Sequence, residues 1–174
     1  MNYKTHVAGG LALGYSTLYY IDKLHYKIND NIMDKDTYII VTVGFIIGSL
    51  ILDIEHKNSY VSNKYKIISF ISRIFLKHRG FTHSIFGVSF ITLITYLSTG
   101  YLGVENRITT LLSASIFIGA ISHVFLDMFT PSGVELLNPF TNKRFSFIRG
   151  KVGIPDSIAF LICISIFYWS LTVL

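Results

Sequence analysis

The chain has 174 residues, of which 51% are hydrophobic and 14% charged, and its net charge is +5. A globular domain carries roughly 25% charged residues, so this composition argues against a water-soluble protein and for a membrane one. The basic residues sit between hydrophobic runs with no nucleic-acid motif around them, which reads as membrane orientation and leaves no nucleic-acid partner.

The first apolar segment, 5–21, approaches the ~17–25 residues a helix needs to cross the hydrocarbon core. Lys4 ahead of it resembles the start of a signal peptide. His6 lies within it, however, and no convincing small-residue cleavage site follows, so the segment reads as a retained helix. His25 falls beyond it, in a predicted polar outer loop, as a plain solvated histidine. The second segment, 38–54, closes in "DIEH", Asp53 to His56. Gly10-x-x-x-Gly14 and Gly44-x-x-x-Gly48 in these two spans would permit close helix contact, although such spacings are common by chance.

Between 64 and 77 the pattern changes. Ile67, Phe70, Ile71 and Ile74 share one helical face, while Lys66, Ser69, Arg73 and Lys77 fall largely on the other. This segment is too short and charged to span, and it predicts a helix lying in the membrane interface. "HRGFTHS", His78 to Ser84, then leads into a third span at 84–103, with Gly80 allowing the backbone to turn. A fourth span, 108–129, carries "SHVFLD", with His123 and Asp127. The connection 130–155 holds all three prolines and the basic, aromatic run "NKRFSFIRGK". It reads as a loop over the headgroups in preference to a flap for a phosphorylated lipid or nucleotide. Asp156 opens the last span, 156–174, in which the single cysteine, Cys163, reads as a packed or lipid-facing thiol. One cysteine cannot form an internal disulfide, so no oxidising compartment is implied.

These elements predict an all-α, multi-pass transmembrane helical bundle of about five spans plus one interfacial amphipathic helix, a single membrane domain over residues 1–174. With five crossings, Lys4 and the 55–83 and 130–155 connections share one side. That side holds 11 of the 15 Lys and Arg residues, against Lys23, Lys27, Lys35 and Arg107 on the other. The positive-inside rule places the basic side and the N-terminus in the cytoplasm, with the C-terminus outside.

His6, Asp53, His56, His78, His83, His123, Asp127 and Asp156 would all gather at that same end. His123 and Asp127 are four apart on one helical face, a spacing that helical metal sites commonly use, and Asp53 and His56 are three apart. A lone membrane histidine is ordinarily a packing residue and a carboxylate at a helix end is often solvated or capping. A whole cluster at one end of a small bundle instead points to metal. His6, Asp53, His56, His83, His123 and Asp127 form an imidazole and carboxylate set suited to zinc, manganese or iron, and numerous enough for one or two ions. Glu55 is either a ligand or the base that activates a water. Arg79 matches phosphate oxygens or snorkels to the interface.

The quoted motifs, in this order, resemble the YdjM-like family of inner-membrane-associated metal-dependent hydrolases. They are "TH" at Thr5–His6, "GSLILDIEH" at Gly48–His56, "HRGFTHS" at His78–Ser84 and "SHVFLDMFTPSGVELLNPF" at Ser122–Phe140. Where the family commonly has Pro-Asp-x-Asp-His, this chain has Leu52-Asp53-Ile54-Glu55-His56. "SHVFLD" also bears a fainter likeness to the His-x-x-x-Asp element of zinc-dependent phospholipases C.

The resemblance implies hydrolysis without defining a substrate. The expectation is a metal-activated water attacking a phosphoester or lipid-linked bond at the cytoplasmic face of the inner membrane. Arg79 and His78 would steady the substrate, and membrane lipids or a phosphorylated small molecule would be the partners. Two rivals stand beside it. One is a non-catalytic metal-stabilised scaffold or sensor. The other is a transporter, which would need ionisable groups near the midplane; the deepest here, His123, lies two turns or ~10 Å from its predicted helix end.

Overall fold

The computed structural model describes residues 1–25, 34–55, 80–148, 150 and 152–174. All five predicted apolar segments are helices: α1 (Tyr3–His25), α2 (Lys35–Ile51), α3 (Ile85–Tyr101), α4 (Asn106–Asp127) and α5 (Asp156–Val173). Short 3-10 turns follow α2 at Leu52–Glu55 and precede α3 at Phe81–His83. Among the described residues there is no strand, only an isolated antiparallel bridge between Val134 and Phe145. The predicted interfacial helix 64–77 lies outside the described residues.

Among the described residues, three stretches are long and apolar enough to cross a membrane: Lys35–Ile54, Asn106–Asp127 and Asp156–Val173. The apolar α3 is shorter, at 17 residues. Helix α1 has 23 residues, but its glycines, tyrosines and terminal polar residues dilute its hydropathy.

Two boundaries differ from the sequence expectation. Helix α1 runs on through His25, which therefore closes a helix instead of lying in a loop. Nothing in Ile21–His25 breaks a helix, since glycine and proline are both absent there. Helix α4 ends at Asp127, two residues early, because the chain turns at Met128 and Phe129 back onto its last carbonyls. His123 is accordingly one turn from its helix end, not two.

Helix α4 is the hub, packed against α1, α2 and α3, and α5 closes the bundle against α1. The α2–α4 seam is built from glycine. A Cβ at Gly44 would collide with the Ser115 side chain, one at Gly48 with the Ile116 carbonyl, and one at Gly119 with the Phe45 carbonyl. The two backbones thus meet almost directly, as close packing between membrane helices requires. The Gly44-x-x-x-Gly48 spacing, weak as a sequence signal, is the contact face itself. Elsewhere polar pairs tie the helices: Tyr15 Oη to Thr42 Oγ1 at 2.7 Å and Ser16 Oγ to Ser170 Oγ at 3.0 Å. Cys163 is buried against Ala8 and Ala12, a packed thiol.

The start of α1, the end of α2, the start of α3, the end of α4 and the start of α5 meet at one end of the bundle. The Asn2 N–H donates to Asp156 Oδ1 at 2.9 Å, joining the first and last of these. The loop after α4 folds back over this end. Its Phe147 N–H donates to the Met128 carbonyl at 2.8 Å, and the Ile85 N–H donates to the Leu136 carbonyl at 3.0 Å. Val134 is fully buried in a cluster with Leu52, Val88, Ala120 and Val124. An anchored cap therefore closes the end where the polar residues gather.

Candidate metal centre

Five of the predicted ligands come together there. His6 sits on the first turn of α1, Asp53 on the 3-10 turn after α2, His83 just before α3, and His123 and Asp127 on the last turn of α4. His6, His83, His123 and Asp127 are at most 1% exposed, while Asp53 is 16% exposed. A carboxylate as buried as Asp127 is costly unless compensating charge or donors surround it.

Asp127 is the pivot. Its Oδ1 lies 3.6 Å from His6 Nε2, and its Oδ2 lies 3.7 Å from both His83 Nε2 and His123 Nε2. Asp53 Oδ1 is 3.7 Å from the same His123 nitrogen. The Met1 α-amino group is also 3.6 Å from Asp127 Oδ1. These separations exceed the ~3.2 Å limit of a good N–H···O bond. They fit common ligation better: two donors each ~2.1 Å from a tetrahedral ion stand about 3.4 Å apart.

Local structure aims these side chains. The glycine seam holds α2 against α4 closely enough for His123 Nδ1 to reach the Ser49 carbonyl at 2.7 Å. A carbonyl can only accept, so Nδ1 carries the proton, and in the neutral ring Nε2 presents its lone pair to the centre. His123 Nε2 has no hydrogen-bond partner among the described residues. The rings of His6 and His123 stack, with centroids 3.7 Å apart and planes within 11°, and the His83 ring meets His123 edge-on at 5.1 Å. His83 Nδ1 is 3.1 Å from Thr82 Oγ1, and donation to that hydroxyl would leave its Nε2 likewise inward. His83 itself is placed by the start of α3. Ser84 Oγ accepts from the Gly87 N–H at 3.0 Å and donates to the Phe81 carbonyl at 2.7 Å, clamping the 3-10 turn onto the helix.

Among the described residues the donors form two overlapping groups, His6–His123–Asp127 and Asp53–His83–His123. His123 has only one nitrogen to offer, because Ser49 occupies the other. Asp127 has two oxygens, which face different histidines. The set therefore suits one ion among several donors, or two ions sharing the Asp127 carboxylate. All donors are imidazole nitrogen or carboxylate oxygen, the chemistry of zinc, manganese or iron.

Of the other predicted site residues, His56, His78 and Arg79 lie outside the described residues, as does the side chain of Glu55. Asp156 is near the site but receives the Asn2 N–H, a structural tie. One buried acid escaped the sequence reading. Glu135, in the cap loop, is 1% exposed; it accepts from Asn138 Nδ2 at 2.9 Å and lies 3.5 Å from Arg144 Nε. Its signal was present in "VELL", an acid amid aliphatic residues. The Ser49 carbonyl could not have been found, since any residue type supplies one.

Comparison with known proteins finds related inner membrane proteins. The family model described as YdjM inner membrane protein matches residues 1–173. The chain is 30% identical over 141 residues to the protein described as "Uncharacterized protein YvsG" of Bacillus subtilis (strain 168), covering 81% of this chain and 75% of that protein. It is 36% identical over 131 residues to "Inner membrane protein YdjM" of Escherichia coli (strain K12), covering 72% of this chain and 62% of the other. The chain thus matches less than two thirds of that relative's length. No solved structure matches. With residues 1–173 matched by the family model and helices apolar enough to cross a bilayer, the chain belongs to the YdjM inner membrane protein family.

Proposed function

We propose that the protein is a metal-dependent hydrolase working at the membrane surface, on a phosphoester or lipid-linked substrate. The observation that carries this reading is the Asp127 carboxylate, ringed by three histidine Nε2 atoms at 3.6–3.7 Å. His6, Asp53, His83, His123 and Asp127 would hold one or two divalent ions, zinc foremost, with manganese or iron as alternatives. When bound, such an ion supplies Lewis acidity and lowers the pKa of water to ~7. Ser49 orients His123, and the Thr82–Ser84 turn orients His83. Asp53, the most exposed of the five, marks the side from which substrate would enter. Glu55 would serve as base or ligand, and Arg79 and His78 would steady a phosphate. The distribution of Lys and Arg would turn this end toward the cytoplasm.

The near-complete burial of four donors supports a second reading, a closed structural metal site in a scaffold or sensor. Transport is less well supported. Among the described residues the middle stretches of the helices carry no Asp, Glu, Lys, Arg or His, and a substrate path needs such groups at the midplane.

The test is metal content by mass spectrometry on detergent-purified, tag-free protein, beside His83→Ala and His123→Ala. One or two ions per chain, lost in both variants, is the expected result. Folded protein that takes up no zinc, manganese or iron sinks both metal readings. Bound metal without turnover across a phosphoester panel leaves the scaffold.

A further inference from the structure

A cleft of about 300 Å³ runs between α1, α4 and α5. Helices α1 and α5 each present one i, i+3, i+4, i+7 stripe to it, residues 9–16 and 159–166, and α4 adds Ser122, Phe125 and Leu126, with Phe129 from the turn after it. Two turns of helix are ~10 Å, about a third of the ~30 Å hydrocarbon core. Gly9 lets the lining residue Leu126 pack directly against α1, since a Cβ there would strike its side chain. The lining is otherwise almost wholly apolar, and its outer wall is open: Phe125, Ile162 and Ile166 are 51%, 53% and 42% exposed.

Three observations say what fits. The cleft is cut into α4 and α5, both apolar and long enough to cross the membrane, so its open side faces lipid. Its upper end is lined by Met1, whose amino group is 3.6 Å from Asp127, and Leu126 on its wall precedes Asp127 in the chain. The cleft therefore leads to the metal centre. Finally, Ser122, next to His123, lines the wall at 3% exposure, and its Oγ has no hydrogen-bond partner among the described residues. A buried hydroxyl in an apolar groove suits a guest that is mostly hydrocarbon with one acceptor, as an ester-linked chain is.

We propose that this cleft holds one alkyl chain of a glycerophospholipid, with the headgroup end beside Asp127. That the lipid is then the substrate rests on the hydrolase reading above; occupancy of the cleft does not. Around 300 Å³ is the small end of ligand pockets, room for part of one chain and not for two.

The test is photolabelling in phosphatidylethanolamine and phosphatidylglycerol vesicles carrying a trace of phosphatidylglycerol with a diazirine midway along one chain. Labelled residues are mapped by mass spectrometry. Label on residues 9–16 and 159–166 should exceed that on the exposed α3 face (Phe90, Leu93, Leu97) about tenfold, the enrichment that ~1.4 kcal/mol of preference gives. Ile162→Trp, which fills the open mouth at an exposed position, should remove the excess while leaving the helical signal intact. Equal labelling of both faces would mean ordinary boundary lipid and overturn the proposal, as would excess label that survives Ile162→Trp. A cleft sparing of label in a chain that cross-links to itself would give this face to a second copy and also overturn it. The readout is binding. A labelled cleft in a protein without turnover removes the hydrolase reading and keeps this one.

Discussion

Gly48→Ala isolates the link between packing and site. The added methyl would run into the Ile116 carbonyl and crowd the Ala120 amide, both backbone atoms of α4 that no rotamer change can move. Overpacking of that kind costs typically 1–3 kcal/mol. At ~2–4 °C per kcal/mol for a chain of this size, the melting temperature in detergent should fall by roughly 2–12 °C. Gly48 adjoins Ser49, whose carbonyl accepts the hydrogen bond from His123 Nδ1–H at 2.7 Å. Separating the helices by a few tenths of an ångström weakens that bond, and loss of such an outer partner costs typically 10–100-fold in metal affinity. Gly100→Ala is the internal control. Its Cβ would meet nothing within 4 Å on α3, so the change should be neutral or stabilising by up to ~1 kcal/mol. Paired melting curves and zinc titrations of the two variants decide the matter. Equal melting temperatures and equal zinc affinities would refute the view that the glycine seam sets the site.

Asp127→Asn keeps the shape of the pivotal carboxylate and removes its charge. It should abolish binding of a second ion, and weaken a single ion at least ~10-fold, in zinc competition titrations; unchanged affinity would show that Asp127 is no ligand. At the other end of the bundle, Asp34 caps α2, accepting from the Thr37 hydroxyl and from its N–H at 2.9 Å, with Arg107 Nη2 at 3.5 Å. The Thr37 side-chain and backbone bonds, and then the Arg107 charge, hold the Asp34 carboxyl below its ordinary value. A depressed folded-state pKa gives stability that is present above the unfolded carboxylate range and lost as pH falls through the folded value. Amide exchange protection in the first turn of α2 should therefore persist at mildly acidic pH and drop only once the pH falls below the ordinary carboxylate range. Asp34→Asn should flatten that dependence, and an identical profile in the variant would count against the assignment.

Much of this protein is legible as a string. Five apolar runs of near-membrane length became five helices, because in lipid a backbone must satisfy its own hydrogen bonds and a helix does so locally. The alternating directions of successive helices bring Asp53, His83 and Asp127 to the end where His6 begins α1, and the i, i+4 spacing puts His123 beside Asp127. Those are consequences of helix geometry, which sequence carries. The family, too, follows from the order of the motifs.

Tertiary structure decided what distance alone can decide. No pattern in Gly44-x-x-x-Gly48 names its partner; the approach to Ser115 and Ile116 does. The proton on His123 is placed by a backbone carbonyl 74 positions away, a group common to every residue. Burial of Glu135 depends on the cap loop folding back through the Val134–Phe145 bridge, a long-range contact that local propensity does not encode. The cleft between α1, α4 and α5 exists because three separate stripes, each an ordinary apolar helix face, enclose a space when their helices are set together. Periodicity specifies which face is apolar; only packing specifies whether that face is filled.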